Sequence, residues 1–585
     1  MLPLEGGPPQ FTFSWLDYLL FFGMLSLSAL IGIYFGCCGT KQSSAKEYLL
    51  AGRTMKIMPV AMSLISSNIS GITIMGAPSD IYKYGANYIW SLISMVITSV
   101  ACVYVYMPVF LNLELVSTYQ YLEMRFDKKI RTLASILFTL QVLLLNPILI
   151  YVPALAFSQA TGLHLHLIAP TLCIVCIFYT TIGGLKAVLW TDTLQTTSIF
   201  ICLLVVFGMG LSASGGVDNV IEIADKGERL DIFDFGLDPT KRDSFWGFVL
   251  GCTISWMVDI SVNQSTIQRV MAVPTRKQAE KVIYIFCIGT MLIKTFTTFI
   301  GVMMYAKYSD CDPIGSGKVT HIDQMVPYYV IDVGGRIPGL PGLFIAGIFS
   351  GGLSSLSTTL NTLAATFYSD FISRCMPDTI TEKRKSKILK LIVVIGGIIC
   401  ILLVFVVEKM GGILQLTVTF SGITSGSLLG LFTLGMVFPM ANATGALCGG
   451  VAGLIFNSWL VLSNQWYKYR GLIRDFPKPL SVEGCEFDIE ANVTQPYVNI
   501  ANTELPAIDL RINEVVGEEP NAVFRISFWY YTFLGFVVVL TVGLIVSWLT
   551  KKTNQPVRRE LLSPVIHFLL PKEKPCEINL DTTKL

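Results

Sequence analysis

Apolar residues run along this chain in stretches of about twenty or more, long enough for a helix to cross a bilayer core, with polar residues gathered between them. About thirteen such stretches are legible, near 14–36, 57–84, 86–110, 130–157, 165–182, 191–213, 245–273, 279–306, 342–372, 387–407, 412–438, 443–463 and 525–549. Two of them are interrupted at matching places. The stretch 57–84 breaks at Ser66-Ser67-Asn68-Ile69-Ser70-Gly71, and the stretch 245–273 breaks at Asp259-Ile260-Ser261-Val262-Asn263-Gln264. Unwound backbone at membrane depth survives only where it lines a protein cavity. Paired breaks in two halves of a membrane chain point to a substrate and ion site.

The pattern predicts an all-α polytopic membrane protein. Five stretches run from the first break to residue 213 and five from the second to residue 438. An odd number per repeat forces opposite orientations, so the halves are expected to be inverted repeats at 57–213 and 245–438. Residues 1–56 hold one preceding helix, and 443–549 hold two following helices around a long loop at 464–524. Residues 550–585 form a tail.

Basic residues set the orientation. Lys41, Lys46 and Arg53, then Arg125, Lys128, Lys129 and Arg131, then Arg269, Arg276, Lys277 and Lys281 fall on one side. Lys383, Arg384, Lys385, Lys387 and Lys390, and Lys551, Lys552, Arg558 and Arg559, fall there too. They place the C-terminus in the cytoplasm and the N-terminus outside, with no cleavable leader expected. The long loops 214–244, 307–341 and 464–524 are then exterior. Asn492-Val493-Thr494 is an exterior glycosylation sequon, so Asn492 is expected to carry a glycan at the plasma membrane. Cys311 and Cys485 lie in two exterior loops and are a candidate disulfide. The tail ends in Thr583-Lys584-Leu585, a hydroxyl two residues before an aliphatic C-terminus, which suits a PDZ groove.

Composition agrees. Of 585 residues, 53% are hydrophobic and 14% charged, where a soluble domain has about a quarter charged. A net charge of +2 gives no footprint for nucleic acid. The four histidines have no metal-ligand spacing, and no Walker or kinase motif is present. A secondary transporter, not an enzyme or a nucleotide-driven pump, is the expectation. Its coupling ion would be Na⁺, with no other cofactor.

Hydroxyls crowd one span, Ser350-Gly351-Gly352-Leu353-Ser354-Ser355-Leu356-Ser357-Thr358-Thr359. Carbonyls and hydroxyls can hold Na⁺ without a carboxylate, although such a run also lets helices pack closely. Two charges stand out, Asp259 in the second break and Lys294 in the middle of the span 279–306. A charge at that depth is by default functional. Lys294 is expected either to meet a substrate carboxylate or to pair with Asp259, and the residues alone leave both open.

Longer motifs carry a resemblance. Gly183-Gly184-Leu185-Lys186-Ala187-Val188-Leu189-Trp190-Thr191-Asp192-Thr193-Leu194-Gln195 and Val262-Asn263-Gln264-Ser265-Thr266-Ile267-Gln268-Arg269 resemble hallmarks of the sodium/solute symporter family. The resemblance covers about residues 10–550 and implies a leucine-transporter-like fold. It implies a sodium site made by the carbonyls of Ser66, Ile69 and Gly351 and the hydroxyls of Ser354 and Ser355. It implies that Thr358 contributes to a second sodium and that Asp192 assists sodium release to the cytoplasm. Gly76-Ala77-Pro78-Ser79-Asp80-Ile81-Tyr82 resembles the branch carrying iodide, monocarboxylates and vitamins. Sugar-carrying members have glutamate then glutamine where this chain has Ile72 and Thr73. Asn68, Thr73, Trp256, Asp259 and Lys294 are the candidates to contact substrate. The expected activity is sodium-coupled import of a small organic anion, a monocarboxylate or vitamin carboxylate, by alternating access. The rivals are an iodide or sugar/polyol carrier and a non-transporting nutrient sensor.

Overall fold

The computed structural model describes residues 13–34, 53–180 except 114 and 116, 185–373 except 336, residue 376, 382–485 except 411, 520–550 and 557–570. Asn492 and the terminal Thr583-Lys584-Leu585 lie outside the described residues.

Every regular element among the described residues is helical. In chain order these are α1 (Trp15–Ile33), α2 (Ile57–Asn68), α3 (Ile72–Tyr84), α4 (Ala86–Leu113), α5 (Thr118–Arg125) and α6 (Lys128–Thr161). They continue as α7 (Leu165–Thr180), α8 (Leu185–Ala213), α9 (Val217–Lys226), α10 (Gly247–Val262), α11 (Gln264–Val270) and α12 (Arg276–Tyr308). The last are α13 (Met325–Gly334), α14 (Leu340–Ile372), α15 (Glu382–Val407), α16 (Ile413–Val437), α17 (Ala443–Tyr469) and α18 (Phe528–Leu549). Nine described helices are long and apolar enough to cross a membrane, and the bent pair α2–α3 makes a tenth. Shorter apolar helices at Trp15–Leu27, Leu165–Ile174 and Gly247–Val262 fall on three further apolar stretches of the sequence.

Both interruptions are real breaks. Ile69 leaves the helix with φ −102° and ψ 91°, and α3 departs at 59° to α2. Asn263 is extended at φ −61° and ψ 128°, and its side chain accepts the Ser265 N–H at 2.9 Å, which caps α11. Gly71 follows the first break because no side chain fits there: a Cβ would stand 2.7 Å from the Val152 side chain.

Helices α14 and α6 form the wall facing the first break. They approach closely because Gly352 has no Cβ to strike Pro153, which would lie 2.6 Å away. Helix α2 packs against α8, α12 and α14, and α10 packs against α4 and α16. Cys311 and Cys485 are joined by a disulfide. Asp312 N–H donates to the Ser481 carbonyl at 2.8 Å, strapping the same two loops together.

Candidate functional site

The site grows from the broken end of α2. A helix leaves its last four carbonyls without an intrahelical donor. Here Ile65 is satisfied by the Ile69 N–H at 2.8 Å, and Ser67 by the Ser355 hydroxyl at 3.1 Å. The carbonyls of Ser66 and Ile69 accept no backbone N–H from the chain beyond the break. Ile69 aims its carbonyl at α14, where a Cβ on Gly351 would sit 3.4 Å from that oxygen. The Ser66 hydroxyl is fully buried and has no partner among the described residues. The break thus brings unfilled oxygens to the stretch of α14 that carries Gly351, Ser354 and Ser355. That donor set, neutral and all oxygen, has the chemistry of a site for a hard monovalent cation.

Directly beside it lies an ionic knot. Asp192 on α8 is almost wholly buried; its carboxylate accepts the Ser63 hydroxyl at 2.6 Å and the Ser354 hydroxyl. Arg269 on α11, also buried, lies 3.7 Å from the same carboxylate. Its guanidinium donates to the Ser63 carbonyl at 2.9 Å, to the Thr358 hydroxyl at 2.9 Å and to the Ser67 hydroxyl. One acid and one fork-shaped base therefore tie α2, α8, α11 and α14 together. The sequence reading counted Arg269 among the cytoplasmic loop charges. The structure corrects this, because α11 packs against α2 and α14 and the Arg269 side chain is buried there. Thr358, expected near a second sodium, is held by Arg269.

The second buried cation is different. Lys294 on α12 is 1% exposed, and its ammonium donates to the Ser91 hydroxyl at 3.1 Å. It lies 4.8 Å from the Tyr88 ring centroid and 4.5 Å from that of Trp256. Cation–π contacts of this kind offset part of the cost of burial. No ion pair between Lys294 and Asp259, or any other carboxylate, occurs among the described residues. The pairing that the sequence left open is absent. Trp256 does meet Lys294, whereas the Asn68 side chain turns onto its own helix and donates to the Leu64 carbonyl at 2.9 Å. Thr73 is buried in α3.

The C-terminal end of α3 is charged. Arg242 grips Asp80 of α3 at 2.6 Å and stacks 3.6 Å over the Tyr84 ring. With Lys83, Asp323 and the start of α16 these residues line one cavity. Asp323 accepts the Ile413 N–H on both oxygens, at 3.1 and 3.2 Å. Burial, first, and then Asp80 push its carboxyl up to about 7, while the Ile413 N–H and Lys83 pull the other way.

Residues 48–453 match the profile of the sodium:solute symporter family. The chain is similar to sodium-coupled monocarboxylate transporter 1 of Xenopus laevis, at 38% identity over 94% of this chain and 88% of that protein. It is similar to human sodium-coupled monocarboxylate transporter 2, at 35% over 94% and 87%. It is also similar to the human sodium/iodide cotransporter, at 34% over 94% and 86%. The structure of a Na⁺-coupled sialic acid symporter superposes with a TM-score of 0.71 at 21% identity, covering 93% of this chain and 99% of that one. With oxygens of a broken helix facing a hydroxyl-rich partner, and the match spanning most of its length, this chain belongs to the sodium:solute symporter family.

Proposed function

We propose that this chain is a plasma-membrane symporter that imports a small monocarboxylate with Na⁺. The observation that carries the reading is Lys294, a cation buried at membrane depth with aromatic faces and one hydroxyl around it and no paired acid among the described residues. Placing such a charge mid-membrane costs about 3 kcal/mol or more. A substrate carboxylate offsets that cost on arrival, which couples binding to occlusion. Curated relatives named as monocarboxylate transporters support the same class.

In this reading Na⁺ binds first, between the Ser66, Ile69 and Gly351 carbonyls and the Ser354 and Ser355 hydroxyls, and braces the break. The substrate then enters between the two breaks, against Thr73, Trp256 and Lys294. The two five-helix repeats, 57–213 and 245–438, rock about this point, with the thirteen spans oriented N-terminus out and C-terminus in. Thr358 contributes to a second sodium site, and Asp192 assists release of sodium to the cytoplasm. Each net positive charge moving inward gains about 2.3 kcal/mol per 100 mV. Asn492 carries the exterior glycan, and the tail at Thr583-Lys584-Leu585 is read by a PDZ domain. Iodide is the second reading, because a lysine among aromatic rings suits any soft anion and one relative is named for iodide.

The test is uptake of labelled lactate, pantothenate, biotin, iodide and glucose by cells expressing the chain, in sodium and with choline replacing it. Lactate uptake is expected to require sodium and to fall at least tenfold in the double variant Ser354→Ala, Ser355→Ala. Sodium-dependent iodide uptake with no carboxylate transported sinks the first reading in favour of the second.

A further inference from the structure

One stretch beyond the last span lies docked on the bundle and has no part in the mechanism above. Residues 557–570 follow α18 and form two short, tight turns, Arg559–Leu561 and Pro564–Leu569. Leu561, Leu562 and Ile566 are buried, at 5%, 2% and 7% exposure. Apolar side chains withdrawn from water hold such a segment on its support. The first turn packs on Met107–Leu113 of α4 and on α5, and the second packs on Cys102–Tyr106 of α4. Backbone bonds fix the register. The Ser563 N–H donates to the Met436 carbonyl at 2.8 Å, and the Leu561 carbonyl accepts the Tyr121 hydroxyl at 2.9 Å. Met436 is in the last turn of α16, where carbonyls lack an intrahelical donor, so the docked segment satisfies one of them.

The support is itself a hub. Helix α5 has eight residues and links to several other parts of the chain. The Thr118 N–H donates to the side chain of Gln264, the first residue of α11, at 2.6 Å. Glu123 accepts Arg131 at 2.7 Å, and Arg131 also reaches Asp370 at the end of α14, at 2.5 Å. Arg125 donates to the Gly435 carbonyl of α16 at 2.9 Å, and to the Phe438 and Ala441 carbonyls at 3.1 Å each. Tyr121 holds the docked segment. Helix α11 carries Arg269 and α14 carries Ser354 and Ser355, so two of these links lead towards the sodium side of the bundle. The segment also crosses a joint. Helix α4 packs on α10 and α12, whereas α16 packs on α6, α17 and α18. A segment bonded to α16 and packed on α4 loses contacts when those two groups move apart.

We propose that residues 557–570 are a strap that restrains transport by holding α5 against the ends of α4 and α16. Its contacts exist only while those ends are packed, so docking shifts the population towards the packed arrangement. Release of the strap loosens α5 and, through the Thr118–Gln264 bond, α11. The groups then move apart more readily, and turnover rises. The effect on turnover rests on the alternating-access reading given above, whereas the docking and its grip on α5 stand apart from it.

The experiment combines hydrogen exchange on the purified full chain with sodium-dependent lactate uptake per surface molecule. The double variant Leu562→Asp, Ile566→Asp puts two carboxylates on the buried face of the strap, which is expected to undock it. Tyr121→Phe removes a single hydroxyl and serves where the double variant does not fold. The amides of 561–563 are expected to exchange at least tenfold faster in the double variant than in wild type, and those of 118–125 and 264–270 at least threefold faster. Uptake is expected to rise at least twofold, with a smaller rise in Tyr121→Phe. Amides 561–563 unprotected in wild type overturn the proposal, because the strap is then not docked. Undocking that leaves α5, α11 or uptake unchanged overturns it too, since the segment is then an inert tail. A fall in uptake at unchanged melting temperature makes the segment a support of transport and not a restraint. If wild type takes up no lactate, the monocarboxylate reading fails separately, and exchange at α5 and α11 decides this proposal.

Discussion

Asp192 and Asp259 are both carboxylates within the helical bundle, each close to the broken helices, and their surroundings are opposite. Asp192 accepts two hydroxyls and faces a guanidinium that itself binds two hydroxyls and a carbonyl. Asp259 has no donor among the described residues. Their basic counterparts divide the same way: Arg269 is satisfied on both of its terminal nitrogens, while Lys294 has one hydroxyl and two rings. A fork-shaped guanidinium suits a fixed knot of several acceptors, and a compact ammonium suits an exchangeable ligand. The inner knot holds four helices in one arrangement.

The contrast is broken most severely at Arg269. Arg269→Met leaves Asp192 a buried charge without a cation, and breaking one member of such a pair costs about 3–5 kcal/mol. That is a large share of a typical folding free energy of about 5–15 kcal/mol. Surface delivery and the melting temperature of the purified protein are both expected to drop strongly. The double variant Arg269→Met, Asp192→Asn is expected to recover much of the stability and none of the transport. Arg269→Lys, which keeps the charge but not the fork, is expected to stay near the Met variant. A stable Arg269→Met protein would mean that the knot is not structural.

Lys294→Met is the matched experiment at the other buried cation. Here the cation has no acid to strand, and Met fills a similar volume among the Tyr88 and Trp256 rings. The melting temperature is expected to remain near wild type or to rise, while sodium-dependent lactate uptake falls at least tenfold. If Lys294→Met instead unfolds the protein, the two buried cations are alike and the distinction drawn from their partners is lost.

The ease of reading these regions from sequence differs for a physical reason. The breaks are written locally, because Ser, Asn and Gly interrupt apolar runs that would otherwise be continuous. Ser354 and Ser355 stand out through their density and through the family resemblance. Arg269 was hidden, since a basic residue near the cytoplasmic end of an apolar stretch has the signature of an interfacial anchor. Its burial against α2 and α14 shows only in the fold, where it donates to the Ser63 carbonyl. A cue existed: Arg269 closes the Val262–Arg269 stretch that carries the family resemblance. Whether Lys294 pairs with Asp259 was beyond sequence altogether, because it depends on the rotation of α10 and α12 about their axes. The outer network of Arg242, Asp80 and Tyr84 joins residues more than 150 positions apart and carries no local pattern.

That outer network gives the mildest test, and it concerns a group whose charge changes in the physiological range. Asp323 lies in the connection between α12 and α13, and its carboxyl is pushed up to about 7 from an ordinary 3.8, chiefly by burial. A carboxyl raised in the packed state favours that state when protonated. Its contribution is full below about 4, declines as the pH rises and is gone above about 7. Acidification from pH 8 to pH 6 is therefore expected to stabilise the folded state, by relieving the cost of the buried charge. Arg242, Lys83 and Asp80 share this cavity, and Asp80 is already paired with Arg242. Uptake is a poor readout, because acid also protonates a carboxylate substrate. Thermal unfolding of the substrate-free purified protein avoids that, and a rise on the order of one or two degrees between pH 8 and pH 6 is expected for a chain of this size. Asp323→Asn is expected to flatten the profile and leave the Arg269 and Lys294 results unchanged. A profile equally steep in the Asn variant would place the titrating group elsewhere. The outer mouth would then resemble the inner knot, with every charge held by a partner.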